Sequence, residues 1–325
     1  MTEQRLRQIF DRAREQRVLV IGDLMLDEFV WGKVGRISPE APVPVVEVSS
    51  ESCYPGGAAN VARNLREFTG HVSVAGMVGR DRAGEQLLGL LHQEKIDTST
   101  CTKSETFPTI VKTRIIARHQ QVVRVDREQI AEPDSQQIAS IIAALKRIMP
   151  QIDAIIFEDY GKGFLAQRLV DEVLSAGRGK IIAVDPNPRH EIRWRGVSVM
   201  KPNRSEARHA AGINEDASAS SMAKIGAILL EKWETDLVLV TLGDEGMMLF
   251  QRNAEPHHVP TRARQVFDVS GAGDTAIALF TLALSAGATP LEAADIANHA
   301  SAVVVGKLGT ATVSPDELIQ SFANG

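Results

Sequence analysis

The sequence predicts an α/β fold in which a mostly parallel central sheet carries helices on both faces and a small β-sheet forms a lid. Three observations predict it. Short continuous apolar runs, such as Val18 to Ile21, suit strands buried on both sides. Stretches with helical spacing of apolar residues separate those runs, as a parallel sheet requires. Two segments, about 28–50 and 105–128, fit neither pattern and read as a separate β-layer. No internal repeat or low-complexity stretch divides the chain, so residues 1–325 are expected to form one domain.

Taken in order, Leu6, Ile9, Phe10 and Ala13 mark an amphipathic helix over residues 3–15. The run Val18 to Ile21 closes in Gly22-Asp23, and Asp23 and Asp27 follow at the strand end where open α/β sheets place ligands. Between Ile37 and Val46, Pro39, Pro42 and Pro44 precede a strand-like run, and proline confines such a strand to an edge or flap. Gly56-Gly57 then opens a helical pattern and lets a ligand approach the backbone closely. Asn60 lies one turn into that helix, facing back toward its start. A strand is expected over Val72 to Val78 and a helix over Ala83 to Gln93. Thr106 to Asp126 reads as a long hairpin breaking at His119-Gln120-Gln121, with Lys112, Arg114 and Arg118 on one face by the two-residue period. Beyond it the expected order is helix 138–148, strand 154–157, helix 165–174, strand 181–184 and strand 237–241.

Several of these strands end in chemically loaded turns. Glu158 to Gly163 follows one and Asp185 to Arg189 another. Asn203 and Glu206 have the spacing of a helix cap, which explains them locally. Thr241 to Gly246 looks like a hairpin turn. Together these turns gather small and acidic residues at one sheet edge.

The same edge receives Val266 to Thr275. There Gly271-Ala272-Gly273 precedes Asp274, which opens an apolar helical pattern from Ala276 to Leu284. Small residues at a helix start leave backbone N–H groups bare, a cradle for anionic oxygens. Asp274 beside it is placed to take a proton from a hydroxyl while the cradle holds a phosphoryl group. Alone, such a stretch is more often a tight turn capped by an Asp. Its company at the sheet edge favours chemistry.

Composition narrows the class. Net charge is −5, with no basic cluster or aromatic platform, which speaks against a nucleic-acid partner. No apolar run reaches the ~18 residues of a membrane span. The N-terminus lacks a signal-peptide core, so a cytoplasmic protein is expected. Cys53 and Cys101 have no metal-ligand spacing, and His257-His258 reads as loop. No G-x-x-x-x-G-K-[ST], G-x-G-x-x-G after the first strand, G-x-S-x-G or HExxH occurs. Gly306-Lys307 is followed by Leu308, and Gly161-Lys162 by Gly163.

With these pieces in order, the chain resembles the ribokinase, or phosphofructokinase-B, family of sugar kinases. Gly56-Gly57-Ala58-Ala59-Asn60-Val61-Ala62 matches its N-terminal signature, and Asp268-Val269-Ser270-Gly271-Ala272-Gly273-Asp274 its C-terminal one. The resemblance covers nearly the whole chain. Within the family, Gly22 to Asp27, Arg36 to Val46, Asp159 to Gly163, Gly306 to Thr310 and Thr312 to Pro315 resemble the subgroup acting on D-glycero-D-manno-heptose 7-phosphate. The chain looks like its single-function form, without the nucleotidyltransferase domain of some relatives. It departs from the pattern at Val269, where Thr is usual, and at Pro188-Arg189.

The resemblance implies a ribokinase-like fold and phosphorylation of the anomeric hydroxyl of that heptose phosphate, for lipopolysaccharide core synthesis. By likeness, Asp274 is the base, and the amides of Gly271, Ala272 and Gly273 form the anion hole. Asp23, Asp27, Gly56, Gly57 and Asn60 would bind sugar hydroxyls. Lys112, Arg114 and Arg124 would hold the 7-phosphate, with Lys162 and Arg204 behind them and Asp126 and Glu158 also on the substrate side. A solvated hairpin face explains the lid cations equally well. Asn203, Arg204, Ser205 and Glu206 would meet the triphosphate of ATP, Glu206 organising Mg²⁺ through water. Thr241, Gly243, Gly246 and Asn298 would line the nucleotide. Asp268, Ser270 and Gly309 match a monovalent cation site, for K⁺. Lids of this kind commonly pair between subunits, so a homodimer is expected. A kinase of another sugar or sugar phosphate, or a non-catalytic sugar- or nucleotide-sensing protein on this scaffold, are the alternatives.

Overall fold

Val18 and Val20 in β1 (Arg17–Gly22) face one apolar layer, while Leu19 and Ile21 face another, and all four are fully buried. A polar side chain anywhere in this run would be buried without water, which is why the run is continuous rather than alternating. The computed structural model describes residues 1–118, 120–213, 219–263 and 266–323.

Helix α1 (Glu3–Ala13) precedes β1, and β2 (Leu24–Ile37) with β3 (Pro44–Gly57) forms a long antiparallel hairpin. Then come α2 (Ala58–Arg66), β4 (His71–Ala75), β5 (Met77–Gly79), α3 (Arg82–Gln93), β6 (Thr102–Ser104), β7 (Ile110–Ala117) and β8 (Gln120–Arg127). The middle of the chain supplies α4 (Ser135–Ile148), β9 (Ala154–Glu158), α5 (Gln167–Ala176), β10 (Ile181–Asp185) and β11 (Val199–Met200). After α6 (Arg204–Ala211), α7 (Ala219–Lys232) and β12 (Leu237–Thr241) follow β13 (Met247–Gln251) and β14 (His257–Val259). Helices α8 (Ala272–Ser285), α9 (Pro290–Val305) and α10 (Pro315–Ala323) complete the order.

Among the described residues the main sheet runs β14-β13-β12-β11-β10-β9-β1-β4, parallel from β4 to β12 and antiparallel at β13 and β14. Helices α1, α2, α8 and α9 cover one face, and α4 to α7 the other. A second sheet, β3-β2-β7-β8, forms the lid from residues 24–57 and 110–127. The α/β fold with a separate lid is therefore as expected. Pro44 begins the edge strand β3, where its missing N–H removes no ladder bond.

Two expectations need correction. Val72 to Val78 is not one strand: β4 stays in the main sheet, and β5 pairs with β6. The break is at Gly76, where a Cβ would lie 2.3 Å from the Leu24 side chain, so only glycine lets the chain pass there. Arg118 does not continue the face of Lys112 and Arg114. Strand β7 ends at Ala117, and Arg118 lies beyond it, exposed in the turn at a left-handed φ of 58°. The hairpin break named at His119 falls outside the described residues at that position. No helix among the described residues is long and apolar enough to cross a membrane.

Candidate active site

Strands β1, β9, β10, β11 and β12 end side by side, which brings Gly22-Asp23, Glu158, Asp185, Lys201 and Thr241 to one edge of the sheet. The start of α8 comes to the same edge. A cavity of about 900 Å³ opens there, lined by Glu158, Asp185, Lys201, Glu206, Gly273 and Asp274 among others. A smaller cavity of about 360 Å³ shares Thr241, Gly243, Val269 and Gly273 with it and extends to Gly246, Asn298 and Val305.

Helix α8 begins at Gly271 in the left-handed conformation (φ 79°), and no side chain caps it. Ser-like caps are the rule at such ends, so an uncapped start with small residues leaves first-turn amides for an outside acceptor. A Cβ at Gly271 would lie 2.7 Å from the Asn60 amide nitrogen, so glycine is needed there for space as well as for backbone angle. Asp274, in the first turn, is 6% exposed. Asn60 Nδ2 donates to its Oδ2 at 2.6 Å, and the Tyr160 hydroxyl donates to its Oδ1 at 3.0 Å. Burial pushes its carboxyl up to about 6, with Asp185 adding to the rise and the Asn60 and Tyr160 hydrogen bonds opposing it. Asp274 is thus ionised at neutral pH yet within reach of a proton, the condition of a general base.

Behind Asp274 lies a buried group of acids. Carboxylate oxygens of Glu158, Asp185 and Asp274 lie within 4.8 Å of one another. Lys201 Nζ donates to Asp185 Oδ2 at 2.8 Å. Burial, then the neighbouring Asp185 and Asp274, holds the Glu158 carboxyl well above the usual range, and Asp185 rises to about 6 by burial against the opposing pull of Lys201. Two buried carboxyls this close retain a proton between them. For Lys201, burial works against the charge, but Asp185 and Glu158 outweigh it and keep the ammonium above its ordinary value.

The lid contributes the other wall. Arg114 Nη1 meets Asp27 Oδ1 at 2.5 Å and lies over the Phe29 ring, while Lys112 Nζ stands 5.4 Å from the centre of the Tyr160 ring. A Cβ on Gly56 would strike the Asp27 carboxylate, so this glycine sits directly against it. Lys162 pairs with Glu128 at 2.8 Å. Arg124, 49% exposed in its side chain, forms a two-bond pair with Asp126.

Other expected site residues have local partners. Asp23 accepts from the amides of Tyr160, Lys162 and Phe164, so its carboxylate holds the 159–164 turn in place. Gly57, at φ 59°, brings its backbone against the Asp23 carbonyl. Asn203 and Glu206 cap α6 reciprocally, at 2.9 and 2.7 Å, and also line the large cavity with Ser205. Arg204 reaches Glu245 and the Leu242 carbonyl. Asn298 donates to the Pro260 carbonyl at 2.7 Å. Asp268 accepts from the amides of Ser270 and Gly309, bringing those three residues together beside Gly271.

Tyr160 and Asp185 lie in turns noted from the sequence, and Lys201 two residues before Asn203, but none of the three was singled out there. The available signal was position: each ends or follows a buried strand at the ligand edge.

Residues 15–317 match the pfkB family of carbohydrate kinases. The chain belongs to that family. Among curated relatives, the bifunctional protein HldE of Desulfatibacillum aliphaticivorans is 43% identical over 304 residues, covering 93% of this chain and 62% of the relative. The bifunctional protein HldE of Geobacter sulfurreducens is 42% identical over 328 residues, covering 99% of this chain and 66% of its own. This chain therefore spans 62 to 66% of the length of these two relatives. Among solved structures, ribokinase from Thermotoga maritima superposes with a TM-score of 0.74 at 20% identity, covering 95% of this chain and all of that one. Phosphofructokinase-2 from Escherichia coli in complex with substrates and products superposes at 0.78 with 18% identity, covering 95% and 99%. These two share the ribokinase-like fold with this pfkB-family kinase.

Proposed function

We propose that this pfkB-family kinase transfers the γ-phosphoryl group of ATP to the anomeric hydroxyl of D-glycero-β-D-manno-heptose 7-phosphate, giving the 1,7-bisphosphate for lipopolysaccharide core. The observation that carries the reaction is Asp274, buried and held by Asn60 and Tyr160 beside the uncapped start of α8. In the transfer, Asp274 takes the hydroxyl proton while that oxygen bonds to the γ-phosphorus. The bond from phosphorus to the β-bridging oxygen breaks, ADP leaves, and the amides of Gly271 to Gly273 hold the moving phosphoryl oxygens.

The smaller cavity, with Thr241, Gly243, Gly246 and Asn298, suits the adenosine, and Arg204 and Ser205 lie on the path to the triphosphate. The donor set fits Mg²⁺: a carboxylate at Glu206 beside substrate phosphates is its ordinary environment, and the ion supplies charge neutralisation on those phosphates. Asp268, Ser270 and Gly309 are the residues that would hold K⁺.

Support for the sugar comes from the relatives and from the lid. The family resemblance and the HldE relatives point to the heptose phosphate. Asp27 would accept sugar hydroxyls, with Lys112 and Arg114 on the 7-phosphate and Lys162 behind them. Asn60 would act chiefly through Asp274. A homodimer through the lid would cover β8, every residue of which is exposed, including Val122, Val123 and Val125. Sedimentation at two concentrations tests it. A cytoplasmic location follows from the need for ATP, and cell fractionation tests it.

The deciding experiment is NMR identification of the product after incubation with heptose 7-phosphate and Mg-ATP. Phosphorylation at C1 supports the proposal. Equal or faster turnover of fructose 6-phosphate would transfer the assignment to another sugar phosphate.

A further inference from the structure

Lys201 is a buried ammonium standing at the anion cradle. It follows β11, directly after the fully buried apolar pair Val199-Met200. Its side chain is 3% exposed, and an ammonium is among the groups least often buried unless it has a use or a partner. Asp185 takes one of its three N–H donors. A Cβ built on Gly273 would lie 3.4 Å from Lys201 Nζ, so only the glycine's hydrogens separate the ammonium from the first turn of α8. Lys201 lines the large cavity with Gly271, Gly273 and Asp274.

The other cations of this wall are placed differently. Arg204 is held by Glu245 and the Leu242 carbonyl, and Arg189 lies on the loop after β10. Lys201 alone of the three has its charged end against both the cradle and the acids beneath the base. Those acids also explain its geometry. Asp185 fixes the direction of the ammonium, and Glu158 adds to the field that keeps it charged.

We propose that Lys201 is a catalytic residue of the transfer step, its ammonium aimed by Asp185 to donate to the phosphoryl group as it passes from donor oxygen to sugar hydroxyl. Charge on the equatorial phosphoryl oxygens is drawn together between the α8 amides on one side and Lys201 on the other. Asp185 is then a positioning residue, because it acts through Lys201. The proposal rests on the kinase reading given above.

The test is steady-state kinetics of Lys201→Met, Lys201→Gln and Lys201→Arg, with calorimetric binding of a non-hydrolysable ATP analogue and circular dichroism on each. For the neutral variants we expect kcat to fall about 100- to 1000-fold, the usual effect of removing one transition-state donor. Analogue affinity and the KM for the sugar should stay within about threefold, since the contact strengthens in the transition state. Lys201→Arg should keep kcat at least about tenfold above Lys201→Gln, which holds the comparison even if Lys201→Met does not fold. A neutral variant with kcat within about threefold of the parent overturns the proposal, as does a loss confined to analogue affinity. Asp274→Asn, assayed in parallel, separates the two readings: if it too is fully active, the kinase assignment of this site fails; if it is inactive while Lys201→Gln is not, only the role of Lys201 fails.

Discussion

Asn60 and Asp274, 214 positions apart, meet through a 2.6 Å hydrogen bond that ties the start of α2 to the start of α8. Next to it, Thr275 donates to Asn64 at 2.9 Å, so the two helices are joined by a pair of buried polar contacts. The Asn60 bond lowers the Asp274 carboxyl against the upward push of burial. Replacing Asn60 with Leu removes that donor and should raise the Asp274 pKa further. The acid limb of the kcat profile, expected near pH 6 in the parent, should move to higher pH. Rates across pH 5 to 8.5 check this, and an unmoved limb would separate Asn60 from the tuning of the base.

Asp274→Asn should lose at least ~100-fold in kcat, the typical contribution of a general base. Binding of both substrates should persist, because the amide keeps the shape of the carboxyl. Calorimetric titration with the sugar and with an ATP analogue checks binding separately from turnover.

The same substitution should change stability in the opposite direction. The folded-state pKa of Asp274 is raised from 3.8 to about 6, so its ionisation disfavours the fold. The penalty is absent below the unfolded value, grows as pH rises between the two values, and is complete above about 6. Its size is on the order of 2–3 kcal/mol. Thermal melts should therefore show Asp274→Asn gaining on the parent between pH 4 and pH 8. An equal offset at both pH values would mean that the carboxylate carries no such penalty.

Gly271→Ala should destabilise the protein by about 1–3 kcal/mol, through a left-handed backbone angle and a Cβ crowding Asn60. Because the crowding falls on the residue that holds Asp274, activity should drop along with the melting temperature. Full activity in a destabilised variant would separate the cap from the base.

On the lid, Arg114→Ala should raise the KM for the sugar phosphate about tenfold or more while leaving the KM for ATP unchanged. It both removes a cation and leaves Asp27 buried without its partner. Arg124→Ala, exposed and paired with Asp126, should change the sugar KM by less than about threefold. The reverse order of effects would relocate the phosphate site toward the outer strand.

Much of the framework could be read from local pattern. The run Val18 to Ile21, the Gly-rich helix starts and the proline-marked edge strand carry their physical causes within a few residues. What escaped were features decided by distant neighbours. The break at Gly76 depends on the Leu24 side chain, and the displacement of Arg118 on where β7 stops pairing and the chain turns toward β8. Asp23 looked like an open ligand because nothing near it in sequence shows the three amides that surround its carboxylate.

The class of reaction came with the two family signatures, and the sequence by itself determined the alternation of buried strands with helices and the placing of Asp274 beside Gly271-Ala272-Gly273. Those features follow from hydrophobic period, backbone angle and unpaired amides, all of which are local. Only the tertiary structure decided which groups surround Asp274. Asn60, Tyr160, Asp185 and Lys201 arrive from four separate elements, and burial in one place makes their charges act on one another. Electrostatic coupling depends on distance in space and on exclusion of water, and neither is written in the spacing of residues along the chain.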